Sequence, residues 1–176
     1  MSAAPDLAGR VVGFRAWRIV GGRLYSPYIP CTWDGPVMHA ACWPANRTLM
    51  QSRGWLAEPH DSPHRDCQCG VYAYHRPGVQ TYYGEWEWVE GIVTCWGRVE
   101  AHRDGLRAEH ARVQALALPP AHDPRRRATV AGIAATLAVE LVAREELQEA
   151  AARFGGPLPP ALLPVPPISA APTQGV

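Results

Sequence analysis

Downstream of Tyr25 the chain is broken again and again, at Pro27, Pro30, Gly35, Pro36, Pro44, Gly54, Pro59 and Pro63. Proline fixes φ and removes a backbone donor, so neither a long helix nor a central strand can cross such a stretch. A loop of this length inside a compact domain is uncommon unless something holds it down. Two things here can do so. Trp33, Trp43 and Trp55 can be buried, and a metal ion can staple the chain. One or two helical turns in "PVMHAACW" are the only regular structure expected between Pro27 and Asp66.

The chemistry for a staple lies at the end of this stretch. "EPHDSPHRDCQCGVYAY" brings His60, Asp61, His64, Asp66, Cys67 and Cys69 close together in sequence. Zinc takes four sulfur and nitrogen donors in a tetrahedron. Cys67 and Cys69 can share one ion if Gln68 turns away, and Gly70 relieves the backbone just after them. Cys42 is a third sulfur upstream. A histidine completes the set, either His60 or His64. His60 is preferred, because its greater distance from Cys67 lets the chain loop back through Pro63. The expected ligands are therefore Cys42, His60, Cys67 and Cys69. Three thiolates and one imidazole suit zinc better than an iron–sulfur cluster. The spacing matches neither a paired CxxC ribbon nor a CxxC…HxxxH finger. Two other readings stand beside it: the thiols are small core residues, or Cys67 and Cys69 form a redox pair.

A structural zinc fills all four positions with protein, whereas a catalytic one keeps a position for water and a base nearby. Glu58, Asp61 and Asp66 are near enough in sequence to supply a base. The deaminase pattern H-x-E with P-C-x-x-C is absent, as is H-E-x-x-H. A closed, loop-stapling site is the expectation. Cys31 and Cys95 read as ordinary thiols.

With 176 residues, 47% of them apolar and 19% charged, the chain fits one domain with a buried core. The net charge of +1 gives no bulk drive toward nucleic acid or anionic lipid. All 17 basic residues are arginine, as codon bias in a GC-rich genome produces. No secretory leader and no membrane-spanning run are visible. A cytoplasmic location follows as an expectation, where thiols stay reduced and clustered cysteines favour metal.

Residues 1–10 read as a flexible leader and 11–120 as a zinc-stapled, β-rich domain. "VVGFRAWRIVGGRLYSPYI" is a hairpin turning at Gly21-Gly22, with bulk on both faces. "CGVYAYH" is a short strand and "WEWVEGIVTCWGRVEAH" a long one, with small residues along one face of the latter. "LRAEHARVQALAL" is ambiguous, and the Arg103-Asp104-Gly105 turn before it favours a strand. Residues 121–155 read as one long amphipathic helix. It is capped by Asp123 and Pro124, with Val130, Ile133, Leu137, Leu141 and Val142 as its apolar stripe. Glu140 to Arg144 and Glu149 to Arg153 are its favourable i, i+4 pairs. Residues 156–176 are Pro-rich and read as a disordered tail. His102, Arg107, Glu109 and His110, around the turn at Gly105, form a candidate partner-binding patch.

"DCQCGVYAY" together with "VEGIVTCWGRVEAHRDGLRAEHARVQAL" resembles a family of uncharacterised bacterial proteins common in actinobacteria. The pattern is carried by Cys42, His60, Pro63, Cys67, Cys69, Gly70, Tyr72 and Ala73. It continues through Gly91, Val93, Trp96, Gly97, Val99, Gly105, Arg107, Ala108, Glu109 and Ala111. The resemblance covers roughly residues 13–118. It supports His60 over His64 and implies no activity.

The expected fold is α+β: a small, bent antiparallel sheet or partial barrel, a metal-stapled loop region and one long C-terminal helix. The expected function is a zinc-stabilised binding or adaptor module, with a protein the favoured partner and nucleic acid not supported by net charge. The alternatives are a small enzyme, using zinc for hydrolysis or Cys67 and Cys69 for thiol redox, and an assembly component joined through the long helix.

Overall fold

A computed structural model of the protein describes residues 6–29, 31–42, 60–79 and 87–164. In chain order the strands are β1 (Asp6–Val20), β2 (Arg23–Tyr25), β3 (Thr32–Trp33), β4 (Val37–His39), β5 (Val71–Tyr74), β6 (Trp88–Ala101) and β7 (Gly105–Leu118). Helix α1 (Pro124–Leu137), strand β8 (Glu140–Ala143), a 3-10 turn (Arg144–Glu146) and helix α2 (Leu147–Ala151) follow, and a last 3-10 turn spans Pro160–Leu162. β1 starts inside the segment read as a leader. β4 occupies the place where helical turns were expected, because Val37 to His39 pair with Arg112 to His110.

The three long strands form the frame. β6 pairs antiparallel with both β1 and β7. β5 pairs with β7 on one edge and touches β1 at Phe14–Tyr74 on the other. The pairings β1–β6–β7–β5–β1 close a circuit, so the sheet curls upon itself. Breaks in register between Ile92 and Val93 and between Trp96 and Val99 supply the bends. Gly91 shows why the small face of β6 is small: a Cβ there would run into the carbonyl oxygen of Ala115 and lie 3.1 Å from the Trp17 ring. The ambiguous segment after Gly105 is strand along its whole length, since tertiary pairing on both edges outweighs its alanine content.

Apolar residues on both faces of the sheet are buried, as the bulk on both sides of β1 requires. Trp17, Leu24, Trp33, Val93, Val113 and Leu116 pack on one side, with Val130, Ile133 and Leu137 of α1. Trp17 is fully buried and meets the Trp33 ring edge-on, with centroids 5.3 Å apart. Replacing such a side chain by alanine costs about 3–5 kcal/mol. On the other side Phe14, Ile92 and Ala115 pack against Val142, Leu147, Ala150 and Ala151.

The long C-terminal helix is corrected. Asp123 caps α1 as its sequence suggests, its carboxylate accepting the Arg126 N–H at 3.0 Å. The helix stops at Ala138, which adopts the left-handed conformation (φ 52°, ψ 49°), and the next residues form β8. The physical reason is tertiary. β7 leaves Ala115 to Leu118 open on one edge, and Glu140 to Ala143 fill it as a parallel strand. Backbone pairing and burial of Val142 there outweigh helix propensity. Leu141, expected on the helix stripe, is instead among the exposed apolar residues. Glu140 pairs with Arg153 at 3.0 Å rather than with Arg144, which lies 3.8 Å from Glu90. Assembly through a projecting helix loses its structural basis.

Past α2 the chain returns to the sheet. The Val12 N–H donates to the Gly156 carbonyl at 2.8 Å, and Leu158 is buried. The start of the Pro-rich segment is therefore docked; residues 165–176 lie outside the described residues. No helix among the described residues is long and apolar enough to cross a membrane.

Candidate metal centre

Each expected ligand reaches the site from a different local constraint. Cys42 follows β4, whose pairing with β7 fixes where the loop-rich stretch starts. Cys67 and Cys69 precede β5, anchored on the same strand β7 from Val71 to Tyr74. His60 enters from the far side of a tight loop. In that loop the Cys67 N–H donates to the His64 carbonyl at 2.9 Å, and the Asp66 N–H to His64 Nδ1 at 3.2 Å. β7 thus holds both arms of the site, and the chain between them closes it.

The donor atoms of Cys42, His60, Cys67 and Cys69 all lie within 4.8 Å of one another. The Sγ atoms of Cys42 and Cys67 are 3.8 Å apart, and Cys69 Sγ is 3.4 Å from His60 Nε2. Both distances are close to the edges of a zinc coordination tetrahedron. Zinc–sulfur bonds of about 2.3 Å imply sulfur–sulfur edges of about 3.8 Å, and a zinc–nitrogen bond of about 2.0–2.1 Å implies a sulfur–nitrogen edge of about 3.6 Å. The sulfur–sulfur distance is also far beyond a disulfide bond of about 2.05 Å, and all five cysteines are free. Cys67 and Cys69 are buried, and Cys42 and His60 are half-buried. The residues present fit a zinc ion, which would be held by three sulfurs and the Nε2 of His60.

Electrostatics point the same way. Burial pushes the Cys42 thiol up to about 12, with Cys67 and Cys69 adding to the rise. Burial likewise raises Cys69, against hydrogen bonds at Ser62 and at the His64 backbone that lower it. Thiols crowded in this way hold their protons unless a cation shares the space, and a divalent ion inverts that balance by favouring thiolate. A raised thiol is a poor nucleophile, which weakens a redox role for Cys69.

Arg107 backs the site. It is 3% exposed. Its guanidinium donates to the carbonyl oxygens of Cys67 and Cys69, the latter at 3.1 Å, and lies 3.5 Å from that of His64. Glu100 Oε2 compensates the charge at 2.5 Å. The Arg107 Nε–H points at His102 Nε2 at 3.2 Å. Gly70 is required where this clamp meets the loop: its φ is +129°, and a Cβ there would lie 3.0 Å from Arg107 Cβ and 3.3 Å from Pro63 Cβ.

The four residues of the expected partner patch fall into two pairs, His102 with Arg107 and Glu109 with His110. Arg107 and His102 belong to the clamp behind the metal loop, and Arg107 does not reach solvent. Glu109 accepts the Arg98 N–H at 3.1 Å, and the Arg98 guanidinium spans to Asp61 at 3.2 Å. His110 faces His39 with Nδ1 atoms 2.8 Å apart. Of the carboxylates considered as a catalytic base, Asp61 pairs with Arg98 and Asp66 with Arg65. Glu58, like Trp43 and Trp55, lies outside the described residues. Arg15 and His39 belong to no motif of the sequence. Arg15 is buried between Trp17 and Trp33 and donates to the Tyr72 carbonyl at 2.6 Å. No periodicity could have singled either out.

Comparison with protein-family models, with curated proteins and with solved structures finds no match to this chain.

Proposed function

We propose that the protein is a zinc-stabilised binding module in which the metal is structural. The observation that carries this reading is the set of four protein donors, Cys42, His60, Cys67 and Cys69, all within 4.8 Å of one another, with a sulfur–sulfur distance of 3.8 Å and a sulfur–nitrogen distance of 3.4 Å close to tetrahedral edges. A fourth protein ligand takes the position that a catalytic zinc reserves for water. The nearby carboxylates that are described, Asp61 and Asp66, are engaged by arginines. The ion would tie the start of the loop-rich stretch to its end, stabilising a region whose prolines forbid regular structure.

The test is elemental analysis of protein purified without chelator, beside Cys69→Ser. One zinc per chain, lost in the variant together with thermal stability, supports the structural role. Zinc lost with stability retained would move the reading to catalysis. Wild-type protein free of metal would overturn it.

A further inference from the structure

Among the described residues, the sheet face that carries Phe14 and Ile92 is covered only in part. β8 and α2 pack on it through Val142, Leu147 and Ala150. Farther along β6 and β7, beyond Thr94, the same face carries Trp96 and His110, directly opposite one another in register. His39 of β4 is the next partner of His110 across the sheet. The rings form a row: Trp96 and His110 have centroids 5.5 Å apart, and His110 and His39 4.7 Å. Arg10 lays its guanidinium over the Trp96 ring at 5.4 Å. Arg112 stands on β7 two residues from His110. Arg10, His39 and Arg112 are exposed, and Trp96 and His110 are half-buried.

The charge on this surface is one-sided. Neither Arg10 nor Arg112 has a carboxylate partner among the described residues. Glu109, the carboxylate beside the row, is taken by the Arg98 guanidinium at 3.6 Å and the Arg98 N–H. Its other oxygen lies 3.5 Å from His110 Nε2. Neighbouring rings, tilted 41° and 77° to one another, offer faces and edges to a ligand with flat faces, and guanidinium groups without a carboxylate partner among the described residues call for regularly spaced negative charge. A single-stranded nucleic acid offers both, as bases that stack and phosphates that pair. An acidic peptide offers only the charge. A duplex hides its base faces.

We infer that the open end of this sheet face, centred on Trp96 with Arg10, His39, His110 and Arg112, is a platform for single-stranded nucleic acid. The inference rests on the binding-module reading and gives it a partner class. The protein's small net charge does not oppose it, because the site is local and includes two arginines without a carboxylate partner among the described residues. Binding is consequently modest and salt-sensitive.

The test is fluorescence anisotropy of the full chain with a labelled oligothymidylate of about 12 nucleotides, within the range one such surface covers. Zinc content is measured on every preparation. Binding at low salt is expected, weakened at least about fivefold by Trp96→Ala through lost stacking. Arg10→Ala and Arg112→Ala should each flatten the slope of log affinity on log salt by about 0.7. Arg112→Ala and His39→Ala alter exposed side chains and keep the test decisive if Trp96→Ala fails to fold. Absence of binding with zinc retained overturns the platform and leaves the zinc reading standing. Affinity indifferent to all four substitutions overturns it, as does displacement of the oligonucleotide by polyglutamate at equal charge or equal affinity for duplex.

Discussion

Arg107 donates to the carbonyl oxygen of Cys69 at 3.1 Å, from near the start of β7 to the turn that carries two of the expected metal ligands. The contact spans the sheet pairing of β5 with β7 and turns a buried cation into a brace for a loop. Its charge is balanced by Glu100 rather than by the metal loop, so the backbone carbonyls receive directed hydrogen bonds without a carboxylate competing for the ion. Groups that orient the elements bearing metal ligands tune affinity without touching the metal.

Removing this brace should weaken the metal while leaving every donor in place. Arg107→Ala is expected to lower zinc affinity by about 10- to 100-fold, read by competition with a chromogenic chelator. Arg107→Lys should behave almost as badly, since one ammonium cannot serve the carbonyls and Glu100 in the geometry of a planar fork. Wild-type affinity in Arg107→Lys would show that charge alone suffices.

The sulfurs of the site should be separable from the other thiols. Cys95 is fully buried and lies outside the cluster, and burial pushes its thiol up to about 12 against the Arg15 charge, which lowers it. Cys95→Ser is expected to cost roughly 1–3 kcal/mol of stability for a buried hydroxyl, with zinc content unchanged. Cys67→Ser should lose the zinc. Metal loss in Cys95→Ser with the fold retained would displace the site.

Once the metal is stripped, the thiols should react slowly. Cys42 is held at about 12 by burial and by its neighbours. In chelator-treated folded protein, its alkylation by iodoacetamide is expected to rise steadily from pH 8 through 10 with no plateau near the ordinary thiol value of about 8.5. A plateau below pH 9 in mass-spectrometric labelling would contradict the crowded geometry.

His102 titrates in a direction that the clamp sets. Burial lowers it from 6.5, Glu100 raises it, and Arg107 and His75 lower it further. A lowered folded value means that the contribution to stability is present above the unfolded value of about 6.5 and is lost as pH falls through the folded one. In an NMR titration the His102 imidazole should turn below 6.5. Glu100→Gln should lower the midpoint again, because it removes the carboxylate that favours the charged ring. A rise in Glu100→Gln would show that His102 is not coupled to the clamp.

Two glycines should respond in opposite senses to the same methyl group. Gly132 lies inside α1 with nothing within 4 Å of an added Cβ, so Gly132→Ala is expected to stabilise by about 1 kcal/mol. Gly91→Ala drives its Cβ into the Ala115 backbone and should unfold the protein or lower its melting temperature steeply. Thermal denaturation followed by circular dichroism reads both.

The cluster of sulfur and imidazole donors was legible because donor chemistry is written in residue type. Only a few side chains supply sulfur or imidazole, so Cys42, Cys67, Cys69 and one of His60 and His64 stand out as candidates to hold the stretch, and the fold brings His60 to the three sulfurs. The cap at Asp123 and the strand after Gly105 were legible for local reasons too, a side-chain oxygen one residue before Pro124 and a turn that reverses the chain. The end of α1 was not. Val139 to Ala143 continue a helical stripe in sequence, and only the open edge of β7 makes a strand the better state. The same holds for Arg107 and Trp96. One is buried as a brace and the other half-exposed in a row of rings, although both sit on alternating strands of similar composition. Residue type fixes what a side chain can coordinate; which edge is free, which face is covered and which charge is left without a partner depend on how distant strands meet, and sequence spacing carries no measure of that.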